Sequence, residues 1–268
     1  MMNTVSTAGT PRVKTGIPEF DAMLRGGFMK GDAVMLAGSA GTGKTTIGLQ
    51  YLISGIKTAG EGGIYLTFEQ HPDQIYRDAK NFGWDLQRLE AEDKLRIVFT
   101  SPDLLMGEGD PESLLEGPIK AVNARRIVVD SLSHLSMFAK SDDIRQETYR
   151  VVNFFKRKEM STMLIWESPQ VLGQSFSVSD VGLSFLVDAI VSLKFVEIDS
   201  TIRRAIVVLK MRGSDHDKSL REYEITKDGV KVHASFKDYQ GIMSGSPTKV
   251  AAARFAEAFR EAAGKKGK

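Results

Sequence analysis

The stretch AVMLAGSAGTGKTTIGLQYLI, residues 33–53, decides the fold. An apolar run of strand length (33–38) leads into GSAGTGKTT, Gly38 to Thr46, which matches G-x-x-x-x-G-K-[ST], and a helical segment follows. Strand, glycine-rich turn and helix in that order form a phosphate cradle. Gly41 and Gly43 let the backbone wrap around an anion, the helix N-terminus adds partial positive charge, and Lys44 adds a full one. Thr45 offers a hydroxyl to Mg2+. The expected nucleotide-binding residues of this turn are Gly38, Ala40, Gly41, Thr42, Gly43, Lys44, Thr45 and Thr46.

Outward from this motif, short β-rich runs alternate with longer amphipathic stretches. GIYLTFE (63–69), LRIVFT (95–100), RRIVVDS (125–131) and TMLIWES (162–168) read as strands of a mostly parallel α/β sheet with flanking helices. Ser141 followed by two aspartates predicts a helix start, and Ile144, Thr148, Val151 and Phe155 then share one face at helical spacing. After about residue 185 the pattern changes. FLVDAIVSLKFVEI, RRAIVVLKMRG and LREYEITKDGVKV are joined by short turns and read as antiparallel hairpins extending the sheet. The expected division is a flexible arm at 1–12, a nucleotide-binding domain at 13–235, and a loop, short helix and basic tail at 236–268.

Two acids complete the expected site. Asp130 ends the apolar run RIVVD, where a carboxylate holds Mg2+ directly or through water. Glu69 closes the second strand, and positions beyond the carboxyl ends of central strands line the ligand crevice of a doubly wound sheet. From there it can contact the metal, and orient or deprotonate an attacking water or hydroxyl. Gln70 beside it can orient but cannot act as a base. The expected metal neighbours are therefore Thr45, Glu69 and Asp130.

Composition narrows the function classes. With 36 basic and 34 acidic residues the formal net charge is +2, so no broad field for nucleic acid or anionic membrane is present and any anion is bound locally. The chain has no cysteine, which removes thiolate catalysis and Cys-type zinc sites and fits a reducing cytoplasmic setting. It shows neither a secretory leader nor an apolar run long enough to span a membrane. LKMRGSDHDKS, residues 209–219, is the one local basic cluster to explain, with Lys210, Arg212, His216 and Lys218 following an apolar run. Read alone, it is either an anion site or a charged strand edge that discourages aggregation.

TGIPEFDAMLRGGFMKGDAVMLAGSAGTGKTT, YLTFEQHPDQIYRDAKNFGWDL, RRIVVDSLSHL, VEIDSTIRRAIVVLKMRGSDHDKSLREYEIT and GIMSGSPTK resemble the KaiC branch of the RecA-like ATPases over about residues 12–249. The resemblance is strongest to the second of the two RecA-like halves of circadian-clock KaiC proteins. It implies a homo-oligomeric ring, a hexamer, with ATP and Mg2+ between subunits. Lys210 and Arg212 then contact the γ-phosphate of the neighbour's nucleotide, while Met211, Ser214 and His216 lie against the base, ribose or phosphates of that nucleotide. Glu69 is carried over as the catalytic base. Gln70 stands where the family commonly has a second glutamate, which implies slow hydrolysis.

The clock protein phosphorylates an adjacent Ser-Thr pair, and here Ser184 is followed by Phe185. One acceptor is lost and Ser184 remains a candidate, with Ser179 and Asp180 nearby. The resemblance also points to a regulatory protein at the C-terminal helix, whose sequence shares only amphipathic character and position. Three functions therefore stand: a slow regulatory or signalling ATPase, a serine autokinase, and a RecA-like DNA-binding module. Near-neutral charge and the lack of an aromatic-plus-basic strand-binding stretch speak against nucleic acid.

Overall fold

The computed structural model describes residues 11–105, 110–137, 141–168, 183–236, 239–242 and 248–249. A short antiparallel pair, β1 (Arg12–Val13) and β2 (Phe28–Met29), brackets helix α1 (Pro18–Met23). The chain continues through β3 (Ala33–Gly38), α2 (Lys44–Ala59), β4 (Gly62–Thr67), α3 (Pro72–Lys80), α4 (Leu86–Ala91), β5 (Leu95–Phe99), α5 (Pro111–Ala121), β6 (Ala124–Asp130), α6 (Ser141–Arg157) and β7 (Ser161–Glu167). Then come β8 (Ala189–Ile198), β9 (Thr201–Met211), β10 (Arg221–Thr226) and β11 (Gly229–Ser235), followed by the small pair β12 (Tyr239–Gln240) and β13 (Thr248–Lys249).

Nine of these strands form one sheet in the order β11-β10-β9-β8-β3-β7-β6-β4-β5. From β8 to β5 every pairing is parallel, and from β8 outward to β11 every pairing is antiparallel. The mostly parallel α/β sheet with C-terminal antiparallel strands is the architecture expected from the sequence. Its central strands are buried on both faces, and so they read as continuous apolar runs rather than alternating ones. Val34 and Leu36 of β3 face one core with α1 and α2, whereas Ala33, Met35 and Ala37 face the other core with α5 and α6. In β7, Met163 and Ile165 divide from Leu164 and Trp166 in the same way. The expected stripe of α6 is its inner face: Ile144, Thr148, Val151 and Phe155 are all buried.

The second strand ends two residues earlier than the sequence suggests. Thr67 closes β4, and its hydroxyl accepts a hydrogen bond from the Gln70 backbone N–H at 3.3 Å, which turns the chain off the sheet. Glu69 therefore sits on a turn beyond the strand. In β9 a register shift opposite Ile190 and Val191 leaves Leu209 bulged and exposed, between Lys210 paired with Ile190 and Val208 paired with Val191.

At the ends of the chain, Arg12 is already built into the fold, donating to the carbonyls of Leu24 and Gly27. Beyond β11, Phe236, Tyr239 and Ile242 pack on Val196, Ile198 and Ala205 of the β8–β9 hairpin. The helix expected near the C-terminus lies outside the described residues, as do Ser179 and Asp180.

Candidate nucleotide site

The turn between β3 and α2 lies at the carboxyl end of the sheet. Gly41 and Gly43 both adopt positive φ, +78° and +87°, a conformation that L side chains rarely take. A Cβ on Gly43 would also stand 2.6 Å from the Ile225 side chain of β10. The turn is braced from inside and outside. Thr42 donates through its hydroxyl to the Ser39 carbonyl at 2.7 Å, Tyr223 of β10 donates to the Thr42 carbonyl, and Arg204 of β9 donates to the Gly41 carbonyl at 3.3 Å. The first-turn N–H groups of α2 have no partner within the helix and open toward a cavity of about 410 Å³.

That cavity is lined by Ala40, Gly41, Gly43, Lys44, Thr45 and Thr46 from the turn and helix. Thr67, Glu69, Gln70, Asp130, Glu167 and Ile225 complete it. Gly38 ends β3 behind the turn, its carbonyl accepting from the Ser168 N–H at 3.0 Å. Lys44 is nearly buried: its ammonium donates to the Ser39 carbonyl at 2.8 Å and lies 3.3 Å from the Glu167 carboxylate. Thr45 donates to Oδ2 of Asp130 at 2.6 Å, and the Tyr65 hydroxyl donates to the same oxygen. Burial first, and the Asp130 charge second, push the Tyr65 phenol well above its ordinary value. It therefore remains a donor that steadies the carboxylate.

The donor set fits a magnesium–triphosphate pair. Thr45 Oγ1 and Asp130 supply hard oxygen at hydrogen-bond distance from one another, the usual arrangement where Mg2+ is shared between protein and phosphates. Lys44 and the backbone N–H groups supply the positive lining. Glu69 reaches the rim with its side chain 68% exposed, and its Oε2 lies 3.5 Å from Nε2 of His134.

A profile of the KaiC ATPase family matches residues 13–237. The chain belongs to the KaiC ATPase family. It is 35% identical over 259 residues to the circadian clock oscillator protein KaiC of Nostoc sp., an alignment covering 97% of this chain and 49% of that protein. The KaiC of Thermostichus vulcanus is 33% identical over 263 residues, covering 98% of this chain and 50% of the relative. The KaiC 1 protein of Synechocystis sp. is 32% identical over 267 residues, covering 100% and 51%. This KaiC-family chain thus spans about half the length of the curated relatives it matches.

Residues 210–216 lie elsewhere. Because β9 runs antiparallel to β8, Lys210 and Met211 stand opposite Ile190 and Ala189, and Ala189 pairs with Val34 at the start of β3. Gly38, at the phosphate-turn end, pairs with Leu193. The basic cluster is therefore at the opposite edge of the sheet from its own phosphate turn, with Met211 about 13 Å from the level of Gly38 by strand rise. There Lys210 donates to the carbonyls of Ser184 and Val187 at 2.6 and 2.7 Å, and Arg212 donates to that of Phe185 at 2.8 Å. Burial, then the charge of Arg212, lowers the Lys210 ammonium below its ordinary value. Met211 is buried, Ser214 accepts from Arg12 at 2.6 Å, and Nδ1 of His216 is buried with no hydrogen-bond partner among the described residues.

Sequence reasoning missed Glu167, Tyr65, His134, Tyr223 and Arg204. Only Glu167 carried an available signal, since it closes the strand TMLIWE as Asp130 closes RIVVD.

Proposed function

We propose that this KaiC-family chain binds ATP with Mg2+ in the 410 Å³ cavity and hydrolyses it slowly in a homo-oligomeric ring, as a regulatory or signalling ATPase. One observation carries the reading: Lys44, Thr45, Asp130 and Glu69 border one cavity, while Lys210 and Arg212 stand at the opposite edge of the sheet, out of reach of it. Lys44 and the first turn of α2 hold the β- and γ-phosphates. Thr45 and Asp130 hold Mg2+, which when bound spreads the negative charge developing on the phosphates. Glu69 orients the attacking water and takes its proton. Lys210 and Arg212 of an adjacent subunit bring positive charge to the transferring phosphoryl group.

Complementation in trans tests the ring. Lys44→Ala and Arg212→Ala variants are each expected to be inactive alone, and a mixture should regain phosphate release, because an intact phosphate turn then faces an intact arginine. Two folded variants that stay inactive together, while each mixes into wild-type assemblies, would remove the shared site. Six subunits is the expected ring size, read by light scattering with Mg·ATP.

A second reading, autophosphorylation of Ser184, is favoured by one contact: the Ser184 carbonyl accepts from Lys210, which sets this serine beside the cations proposed to meet the neighbour's phosphate. Intact mass after incubation with ATP decides it, and no added phosphate removes it.

A further inference from the structure

We propose that His134 is a positioning residue that holds Glu69 in reach of the attacking water, at the end of a hydrogen-bonded chain anchored on the backbone of β7. The proposal rests on the reading of Glu69 as the base. Glu69 itself is poorly constrained: it stands on the turn after β4, is mostly exposed, and makes no other side-chain hydrogen bond or ion pair among the described residues. A base that must sit within about 3 Å of its proton needs something to limit its rotamers.

His134 can supply that limit. It lies on the short helical turn 132–137 after β6, with its side chain 26% exposed. Nδ1 is 2.9 Å from Oγ of Ser131, and Nε2 is 3.5 Å from Oε2 of Glu69, a rotamer adjustment away from a hydrogen bond. Ser131 is buried and its Oγ is 2.7 Å from Oγ of Ser133, which accepts from the Glu167 backbone N–H at 3.2 Å. A backbone N–H can only donate. The Ser133–Ser131–Nδ1 contacts can run in either direction, and the Glu69 carboxylate, as an acceptor at the far side of the ring, selects the one that ends on Nδ1 and leaves the ring hydrogen on Nε2. That polarity is assigned from the network, and it makes the imidazole a donor to Glu69. The same serine, histidine and glutamate do not form a nucleophilic triad, because Ser131 is buried and its hydroxyl is engaged on both sides.

Steady-state ATP hydrolysis by the full chain with Mg·ATP tests the role. His134→Ala should lower kcat roughly 10- to 100-fold, the range for losing a partner that orients a catalytic group, and leave KM within about twofold. His134→Gln, whose amide reaches the Nε2 position, should recover most of the rate, whereas His134→Asn, which falls short of it, should not. In a Glu69→Gln background, His134→Ala should cost nothing further. An unchanged kcat in His134→Ala beside an inactive Glu69→Gln overturns this inference and leaves the hydrolysis reading intact. A further loss in the double variant, or a change confined to KM, also overturns it. Wild-type turnover in Glu69→Gln removes the base assignment itself. Should His134→Ala fail to fold, the Gln and Asn variants decide, and equal rates for the two sink the proposal.

Discussion

The ammonium of Lys44 lies 3.3 Å from the carboxylate of Glu167. The acid that ends β7 therefore neutralises the lysine that the phosphate turn presents to a nucleotide. In the proposed nucleotide site a triphosphate competes with Glu167 for Lys44 and sits beside a second negative charge. Glu167→Gln removes both obstacles, so nucleotide affinity should rise. The Glu167 side chain is 48% exposed, and solvent screening limits the effect to about 1 kcal/mol, several-fold in Kd. Lys44→Ala should lose binding. Calorimetric titration with ADP and ATP measures both, and unchanged or weaker binding in Glu167→Gln would contradict the competition.

Thr45 and Tyr65 both donate to Oδ2 of Asp130, so an amide in its place keeps an acceptor and loses only the charge. Asp130→Asn should fold normally. The Mg2+ concentration for half-maximal ATP binding should rise about 10-fold or more. Chelating the metal should then weaken ATP binding strongly in the wild type and little in the variant. Magnesium titrations at fixed ATP, read by fluorescence of a labelled nucleotide, test this, and coincident curves would exclude Asp130 from the metal site.

The turn at 38–46 was legible because its chemistry is local: glycines at positive φ, a lysine and a threonine at fixed spacing. The central strands were legible because burial on both faces writes an unbroken apolar run. Glu167 was not, although it ends such a run, because strand order is a tertiary fact: β7 flanks β3, while β7 is far from it in sequence. His134 meets Glu69 only because β6 pairs with β4, Asp130 beside Thr67. Tyr65 reads as an ordinary core residue from its position in a strand, and only the neighbouring strand gives its hydroxyl a partner. Lys210 and Arg212 were visible as a basic cluster, but the carbonyls of 184–187 that hold them follow from the antiparallel return of β9.

Two helix glycines should respond oppositely to alanine. Intrinsic propensity favours alanine by about 1 kcal/mol inside a helix. At Gly117 in α5 an added Cβ would meet nothing within 4 Å beyond its chain neighbours and its own helix, so Gly117→Ala should stabilise, but by less than that amount because the ring of Pro118 crowds a Cβ on the helical residue before it. At Gly55 in α2 it would stand 2.3 Å from Nε of Arg126. This guanidinium cannot step aside cheaply: it is buried, bonded to Glu61 at 2.6 Å and to the carbonyls of Lys14 and Tyr51, and laid over the Tyr51 ring. Gly55→Ala should therefore destabilise by about 1–3 kcal/mol, the usual cost of overpacking. Urea unfolding of the two variants checks the signs, and a stabilised Gly55→Ala would mean that Arg126 is freer than its contacts imply.

Asp32 offers a test by pH. Burial first, and the Asp188 carboxylate second, raise its acid to about 6 from an ordinary value of 3.8, against smaller opposing effects from the Met29 backbone hydrogen bond, Lys156 and Arg12, in that order. Between those values the folded chain holds a proton that the unfolded chain has released. Stability from this group therefore falls as pH rises from about 4 to about 7 and is level above that. Asp32→Asn removes the buried charge, so the variant should gain stability over wild type at pH 7.5 and lose that advantage toward pH 4.5. For a half-buried group partly screened by solvent, about 1 kcal/mol is the expected gain at the higher pH. Comparing variant with wild type at each pH cancels the other carboxylates that titrate in this window. Equal differences in urea midpoint at pH 4.5 and 7.5 would show that Asp32 is charged in both, and that its neighbours, the Met29 backbone hydrogen bond above all, outweigh its burial.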